Sequence, residues 1–338
     1  MCTNFALYST GSNSPYRMTA RTMDFALEIF PKLTVIPRRQ SFPDLLVTPV
    51  TNPLKWTSKY GYVGIECAYE GIQQITDGLN ELGVSVGLLW LANSQYPTSE
   101  SAKTPTIYNV CLGDWILGNF DSVAALKSAL SNVTVININE GFPVRFVLHY
   151  VVSDRTGANL VIEFTNGQMQ TYEPANGVMT NAPSYPYHLD NLSNYANLKL
   201  TNNGQVWWGQ ELNGSGCLGM PGDYTAPSRF IRVTMLQQSV QNYTPKTVKE
   251  AVGLSLRILQ NFATPKGAIV LASDQQLDYT QWGVVRDHQN LVYYFFTQFN
   301  NNTFSVDLSK INFETVKPNG ISIEQPVWTT DITPSLQN

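Results

Sequence analysis

Short runs in which apolar and polar residues alternate, or in which β-branched residues cluster, recur along the chain: CTNFALYS, RMTARTMDF, KLTVIPR, YGYVGIECAY, GVSVGLLWL, RFVLHYVVSD, NLVIEF, QMQTYE, GAIVLAS, LVYYFFTQF and TFSVDL. A period of two puts one set of side chains on each face of an extended segment, so these runs predict strands. Three stretches follow the helical period instead. PTIYNVCLGDWILGNF and DSVAALKSAL, the second with Asp121 as N-cap, predict a helical pair near the middle. TPKTVKEAVGLSLRILQNF, with Thr244 as cap and Pro245 in the first turn, predicts another helix late in the chain. Blocks of strands separated by blocks of helices do not make a βαβ alternation, which points to an α+β architecture of antiparallel sheets with segregated helices. No repeat, low-complexity segment or charged linker divides the chain, so residues 1–338 are expected to form one domain. The longest stretch without periodicity, at about 191–225, is rich in Asn, Gly and Trp and is expected to serve as a binding loop or an assembly arm.

Composition narrows the class. Of 338 residues, 43% are hydrophobic and 14% charged, enough apolar material for a large core. The net charge of −4 is dispersed and the longest basic run is Arg38-Arg39, which excludes an electrostatic footprint for nucleic acid or anionic lipid. A small, fairly apolar substrate fits better. No apolar run reaches the roughly 18 to 20 residues of a membrane helix, and the first 20 residues lack a signal-peptide pattern. The expectation is a soluble protein without membrane insertion: cytoplasmic as written, or periplasmic or secreted if a leader precedes this sequence.

The four cysteines, Cys2, Cys67, Cys111 and Cys217, have no zinc-ligand spacing. Cys67 and Cys111 lie in apolar stretches and read as buried thiols; Cys217 lies in the glycine-rich NGSGCLGMPG and reads as a loop thiol. Cys2 is different. CTNFALYS and RMTARTMDF flank TGSNSPY, and a turn near Asn13 would set Cys2 across from Asp24. Arg21 and Asp24 fall on opposite faces of a regular strand, so bringing both to Cys2 would need a bulge around Thr22-Met23. Removal of Met1 would give Cys2 an α-amino group of ordinary pKa about 7.7 to 8.0, a base placed beside its own thiol. The competing reading is a core cysteine beside a surface ion pair. The three histidines, His149, His188 and His288, have no GxSxG elbow to complete a serine triad.

The segments MCTNF, TARTMDF, WTSKYGYVG, DGLNELGVSVGLLWL, MTNAPSYPYHLDNL and MPGDYTAPSRFIRV, in order and spacing along essentially the whole chain, resemble the choloylglycine hydrolase family of bile salt hydrolases and penicillin V acylases. The resemblance implies an N-terminal-nucleophile (Ntn) hydrolase: a four-layer αββα sandwich of two antiparallel sheets flanked by helices. It implies Cys2 as nucleophile and base donor, with Arg21 and Asp24 as its supports. Asn181 would be the side-chain donor of an oxyanion hole shared with the Leu89 backbone N–H, and Arg229 a charge stabiliser. Phe25, Leu89 and Trp90 would line the substrate pocket. No metal or other cofactor is implied, and a homotetramer is. Leu89 stands where many bile salt hydrolases carry Asn and one type of penicillin V acylase carries Tyr. GLLWLANSQYP is more similar to a branch rich in penicillin V and acyl-homoserine-lactone acylases, usually exported, whose members often have Trp at the place of Phe25. The expected activity is therefore amide cleavage of N-acylated small molecules, with a bile salt hydrolase as the alternative. A silent binder of amphipathic ligands is the second alternative, should Met1 remain attached.

Overall fold

The computed structural model describes residues 1–8, 15–42, 52–69, 71–98, 102–138, 146–202 and 204–336. In chain order the strands that build the two large sheets are β1 (Cys2–Tyr8), β2 (Arg17–Phe25), β3 (Lys32–Ile36), β4 (Tyr62–Tyr69), β5 (Ile72–Asn80), β6 (Ser85–Trp90) and β7 (Leu148–Ser153). They continue with β8 (Asn159–Thr165), β9 (Gln168–Tyr172), β10 (Leu277–Asp287), β11 (Val292–Thr297), β12 (Asn300–Asp307) and β13 (Asn319–Ser322). The main helices are α1 (Leu112–Asn119), α2 (Val123–Leu130), α3 (Tyr185–Leu192), α4 (Ala226–Gln237) and α5 (Val248–Gln260).

One sheet runs β1-β2-β10-β11-β12, with Ile269–Val270 added alongside β10. The other runs β9-β8-β7-β6-β5-β4-β3-β13, and all these pairings are antiparallel. Helices α4 and α5 pack on β1, β2 and β10, while α1 and α2 pack on β5, β6 and β8, so the layers stack as helix, sheet, sheet, helix. Strand alternation sorts the two cores. In β6 and β7, Val86, Leu88, Leu148, Tyr150 and Val152 join the cluster under α1 and α2, while Leu89 and Val151 join the cluster between the sheets.

The DGLNELG segment shows why its residue types recur together. Asn80 accepts from the N–H groups of Leu82 and Val84 and donates to the carbonyls of Leu117 and Phe120, tying the β5–β6 turn to the end of α1. Gly83 closes that turn at φ +84°, a left-handed backbone that a side chain would strain.

Several expectations are corrected. The stretch PTIYNVCLGDWILGNF is a strand (Thr106–Tyr108), a short turn and then α1, because Leu112 is the first residue of the regular helix. Ser122, whose hydroxyl accepts from the Ala125 N–H, caps α2 in place of Asp121. Thr247, accepting from the Glu250 N–H, caps α5 in place of Thr244, while the Glu250 carboxylate reaches back to the Lys246 N–H. Of GAIVLAS only Ile269–Val270 is paired. Inside the 191–225 stretch, Gln205–Trp207 and Gln210–Leu212 form a small hairpin. No helix among the described residues is long and apolar enough to cross a membrane.

Candidate active site

The β1–β2 hairpin pairs Cys2 with Met23 without any shift in register, so the bulge expected around Thr22-Met23 is absent. The turn expected near Asn13 lies outside the described residues. The irregularities sit elsewhere. Gln281 is the extra residue of β10 opposite Met23 and Asp24, and its amide is spent on the carbonyls of Phe25 and Leu27. Thr76 is the extra residue of β5 opposite Ile65 and Glu66. A bulge there lets Gln74, Thr76 and Asp77 all face the inter-sheet layer, which strict alternation forbids.

Arg21 crosses that layer. Its guanidinium donates to Thr76 O at 2.5 Å, to the Leu88 carbonyl, and to Asp77 Oδ2 at 3.2 Å, and it stands 3.8 Å from Cys2 Sγ. Asp77 is shared: Arg286 lies 3.3 Å from it and Tyr293 donates to it at 3.0 Å. Two fully buried guanidiniums on one buried carboxylate leave net positive charge, and the Arg21 nitrogen that faces Cys2 Sγ also contacts Met23 Sδ at 3.0 Å. Burial works against the charge of Arg21, but Cys2 and Asp77 hold its proton more tightly than in a free arginine.

Asp24 meets Cys2 through its backbone. Its carbonyl lies 3.7 Å from Cys2 Sγ, while its carboxylate takes hydrogen bonds from Thr22 and Thr280. Burial raises the Asp24 pKa, against the pull of the N-terminal ammonium and Arg229. Arg21 and Asp24 therefore do project from opposite faces of β2, and no bulge is needed because Asp24 reaches the thiol by its main chain.

Asn181 sits just before a cis Ala182-Pro183 peptide, in the segment that leads into α3. Its side-chain oxygen, one side-chain N–H and its carbonyl are engaged. Oδ1 accepts from the Cys2 N–H at 2.7 Å and from Arg229 at 2.7 Å, Nδ2 donates to Trp90 O at 2.8 Å, and the Asn181 carbonyl lies 2.8 Å from His188 Nε2. His188 belongs to α3 and stacks on Phe230. Arg229, on the first turns of α4, also bonds the Cys2 carbonyl, Thr3 Oγ1 and Tyr224 O. Its burial lowers its pKa, with Asp24 and Cys2 partly compensating. The Met1 ammonium donates to Asp24 O at 2.8 Å and stands 3.5 Å from Asp278, so here the Cys2 nitrogen is an amide.

Beyond the sulfur opens an apolar cleft whose walls include Phe25, Leu89, Trp90, Tyr69 and Phe146. Phe25 and Trp90 rings are 5.6 Å apart. The three pocket residues expected from sequence thus line one cavity with Cys2. Leu89 is paired with His149 across β6 and β7, between the carbonyls of Leu88 and Trp90 that Arg21 and Asn181 hold.

The other cysteines and histidines take other roles. Cys67 lines the same cleft with its thiol pushed up to about 12 by burial; Cys111 is likewise shifted upward by burial. His149 is paired with Glu163, which also accepts from the Tyr185 N–H at the start of α3. His288 is fully buried between Thr19 and the Gly83 carbonyl. Sequence reasoning missed Asp77, Arg286, Thr280 and Asp278. The first two were legible only as charges inside apolar strand patterns, ITDGL and GVVRD.

Two antiparallel sheets between helix layers define the class as the Ntn-hydrolase fold, with Cys2 on the edge strand β1 at the foot of the cleft. Solved structures with this fold include a mutant conjugated bile acid hydrolase from Clostridium perfringens, with TM-score 0.82, 26% identity and coverage of 96% of this chain and 97% of that one. Another is a penicillin V acylase from Agrobacterium tumefaciens, with TM-score 0.75, 25% identity and coverage of 96% and 92%. Residues 2–321 match the linear amide C–N hydrolases, choloylglycine hydrolase family, and the chain belongs to it. Similar curated proteins are a bile salt hydrolase/transferase of Clostridium perfringens, 29% identical with 93% of this chain and 94% of that one covered, and a penicillin V acylase of Pectobacterium atrosepticum, 31% identical with 92% and 82% covered.

Proposed function

We propose that this linear amide hydrolase uses Cys2, freed of Met1, to cleave N-acylated small molecules of the penicillin V or acyl-homoserine-lactone type. The observation that carries the reading is Cys2 itself: its sulfur opens on an apolar cleft while its nitrogen is held by Asn181 Oδ1. Once Met1 is removed, that nitrogen is a primary amine and takes the thiol proton. Sulfur attacks the amide carbon, and the oxyanion is held by the Asn181 Nδ2 hydrogen that Trp90 O does not use. The ammonium returns its proton to the departing nitrogen as the C–N bond breaks, leaving a thioester on Cys2. Water, giving a proton to the same amine, attacks the thioester and releases the acid and the thiol. Removing one such oxyanion donor typically costs about 3 to 4 kcal/mol of transition-state stabilisation. Because Leu89 is paired with β7, the oxyanion reading rests first on Asn181. Arg21 and Arg229 supply positive charge next to the sulfur and the Cys2 carbonyl.

Phe25 and Trp90 on the cleft wall support a flat or extended apolar acyl group. A second reading, release of glycine or taurine from conjugated bile acids, is supported by the names of several relatives. The exposed Val206, Trp207 and Trp208 of the 205–212 hairpin support a homotetramer in which this arm reaches a neighbour.

Amine release from penicillin V, a long-chain acyl-homoserine lactone and glycocholate, measured in parallel with Cys2→Ser as control, tests the reading. Strong turnover of the first two, lost in Cys2→Ser, is expected. Dominant glycocholate cleavage would replace the acylase reading with the bile salt one, and inactivity on all three would point to a different acyl amide or to the ligand-binding alternative.

A further inference from the structure

Resting on the acyl-pocket reading above, we infer that Gln74 selects acyl groups that carry a hydroxyl group several bonds from the scissile carbonyl. Gln74 lies on β5, paired with Cys67 of β4, and its side chain is part of the cleft wall. Most of the wall is apolar, and its neighbour Thr76 donates its hydroxyl to Ile65 O. The Gln74 carboxamide is an exception. Among the described residues its Oε1 is shielded from bulk solvent and has no hydrogen-bond partner. A primary amide held against an apolar wall without a partner is costly, and a wall built only for hydrocarbon would carry Leu or Met at this place.

The placement also sets the reach. The carbonyl of Thr76 is bonded by Arg21, whose other terminal nitrogen stands 3.8 Å from Cys2 Sγ. Gln74 is two residues further along the same strand, about 7 Å beyond that point. An acyl group attacked at its carbonyl by Cys2 and laid along β5 therefore brings its fifth or sixth chain atom, or the far edge of an aryloxy ring, to the Gln74 amide. A hydroxyl is the group that answers it, since it donates to Oε1 and accepts from Nε2 and so fits either orientation of the amide. A carboxylate at this depth is disfavoured, because the cleft wall holds no cation to meet it.

The test uses the full chain and a matched pair of substrates, penicillin V and its para-hydroxyphenoxyacetyl counterpart, with kcat/KM measured for the wild type and for Gln74→Leu. The wild type is expected to prefer the hydroxylated substrate roughly tenfold, the ratio that one net neutral hydrogen bond gives. Gln74→Leu is expected to lose that preference and to turn over the two substrates with equal kcat/KM. Equal turnover of the pair by the wild type, a reading that needs no variant, would overturn the inference and leave the acylase reading standing. A preference that survives Gln74→Leu would also overturn it. Failure of the wild type to turn over either substrate would remove the acyl-pocket reading and the inference together.

Discussion

Asn181 offers a way to separate chemistry from architecture, because its two side-chain ends have different work. Oδ1 accepts from Arg229 and from the Cys2 nitrogen, each at 2.7 Å, while Nδ2 donates to Trp90 O and has one hydrogen left over. Asn181→Ala removes both ends. The loss of the oxyanion donor is expected to lower kcat by about 100- to 1,000-fold with little change in KM. The loss of the acceptor leaves one bond of a fully buried guanidinium unmade, and is expected to lower stability by about 1 to 3 kcal/mol. Asn181→Asp divides the two effects. The carboxylate keeps an acceptor for Arg229 and for the Cys2 amine but has no N–H for the oxyanion or for Trp90 O, so any loss of stability, about 1 to 3 kcal/mol, comes from the Trp90 carbonyl and not from Arg229, while kcat falls as far as in Asn181→Ala. Amine release under saturating substrate reads the first quantity and urea unfolding midpoints read the second. If Asn181→Asp turns over at a near-normal rate, or if either variant raises KM while leaving kcat unchanged, Asn181 is not the oxyanion donor.

Two further outcomes follow from residues outside the chemistry. His288 is buried as a neutral ring, its pKa pushed down to about 4 by loss of hydration. A depressed histidine contributes stability that is present above its unfolded pKa of about 6.5 and lost as pH falls through 4, here an effect of about 3 kcal/mol. The wild-type urea midpoint should therefore drop more steeply between pH 7 and pH 4.5 than that of His288→Gln; parallel slopes would refute this account of its acid sensitivity. Trp208, 92% exposed at the tip of the 205–212 hairpin, should be buried in the assembly. Trp208→Glu is expected to shift the mass seen by light scattering from tetramer toward smaller species, and an unchanged mass would take the arm out of the interface.

Much of this was legible in the sequence, for physical reasons that also mark where legibility stopped. The hairpin of β1 and β2 and the strands β7, β8 and β11 announce themselves because one or both faces are buried and the side chains alternate accordingly. α4 did not, because its inward face carries Arg229 and Arg232, both buried, which erase the apolar stripe a helix normally shows. α3 is eight residues long with Pro186 in its first turn and two buried side chains, too little for a period to emerge. In the site, Cys2, Arg21 and Asp24 were within reach of hairpin reasoning, whereas Asn181 and Arg229 came only through family resemblance. The bulge was expected in the wrong strand because only β1 and β2 were weighed; β5 and β10 resolve the geometry with Thr76 and Gln281. The Arg21–Asp77–Arg286 cluster joins residues more than 50 positions apart, which no local pattern reveals.

The central claim is that Cys2, with its own amine exposed, forms a thioester with the substrate acyl group. Intact-mass analysis of the protein quenched in acid during turnover of penicillin V, followed by peptide mapping, tests it most directly. The account predicts an N-terminal peptide that lacks Met1 and carries the acyl mass on Cys2, with the adduct absent from Cys2→Ser. Turnover with Met1 still attached, or an adduct on Cys67 or any other residue, would contradict it.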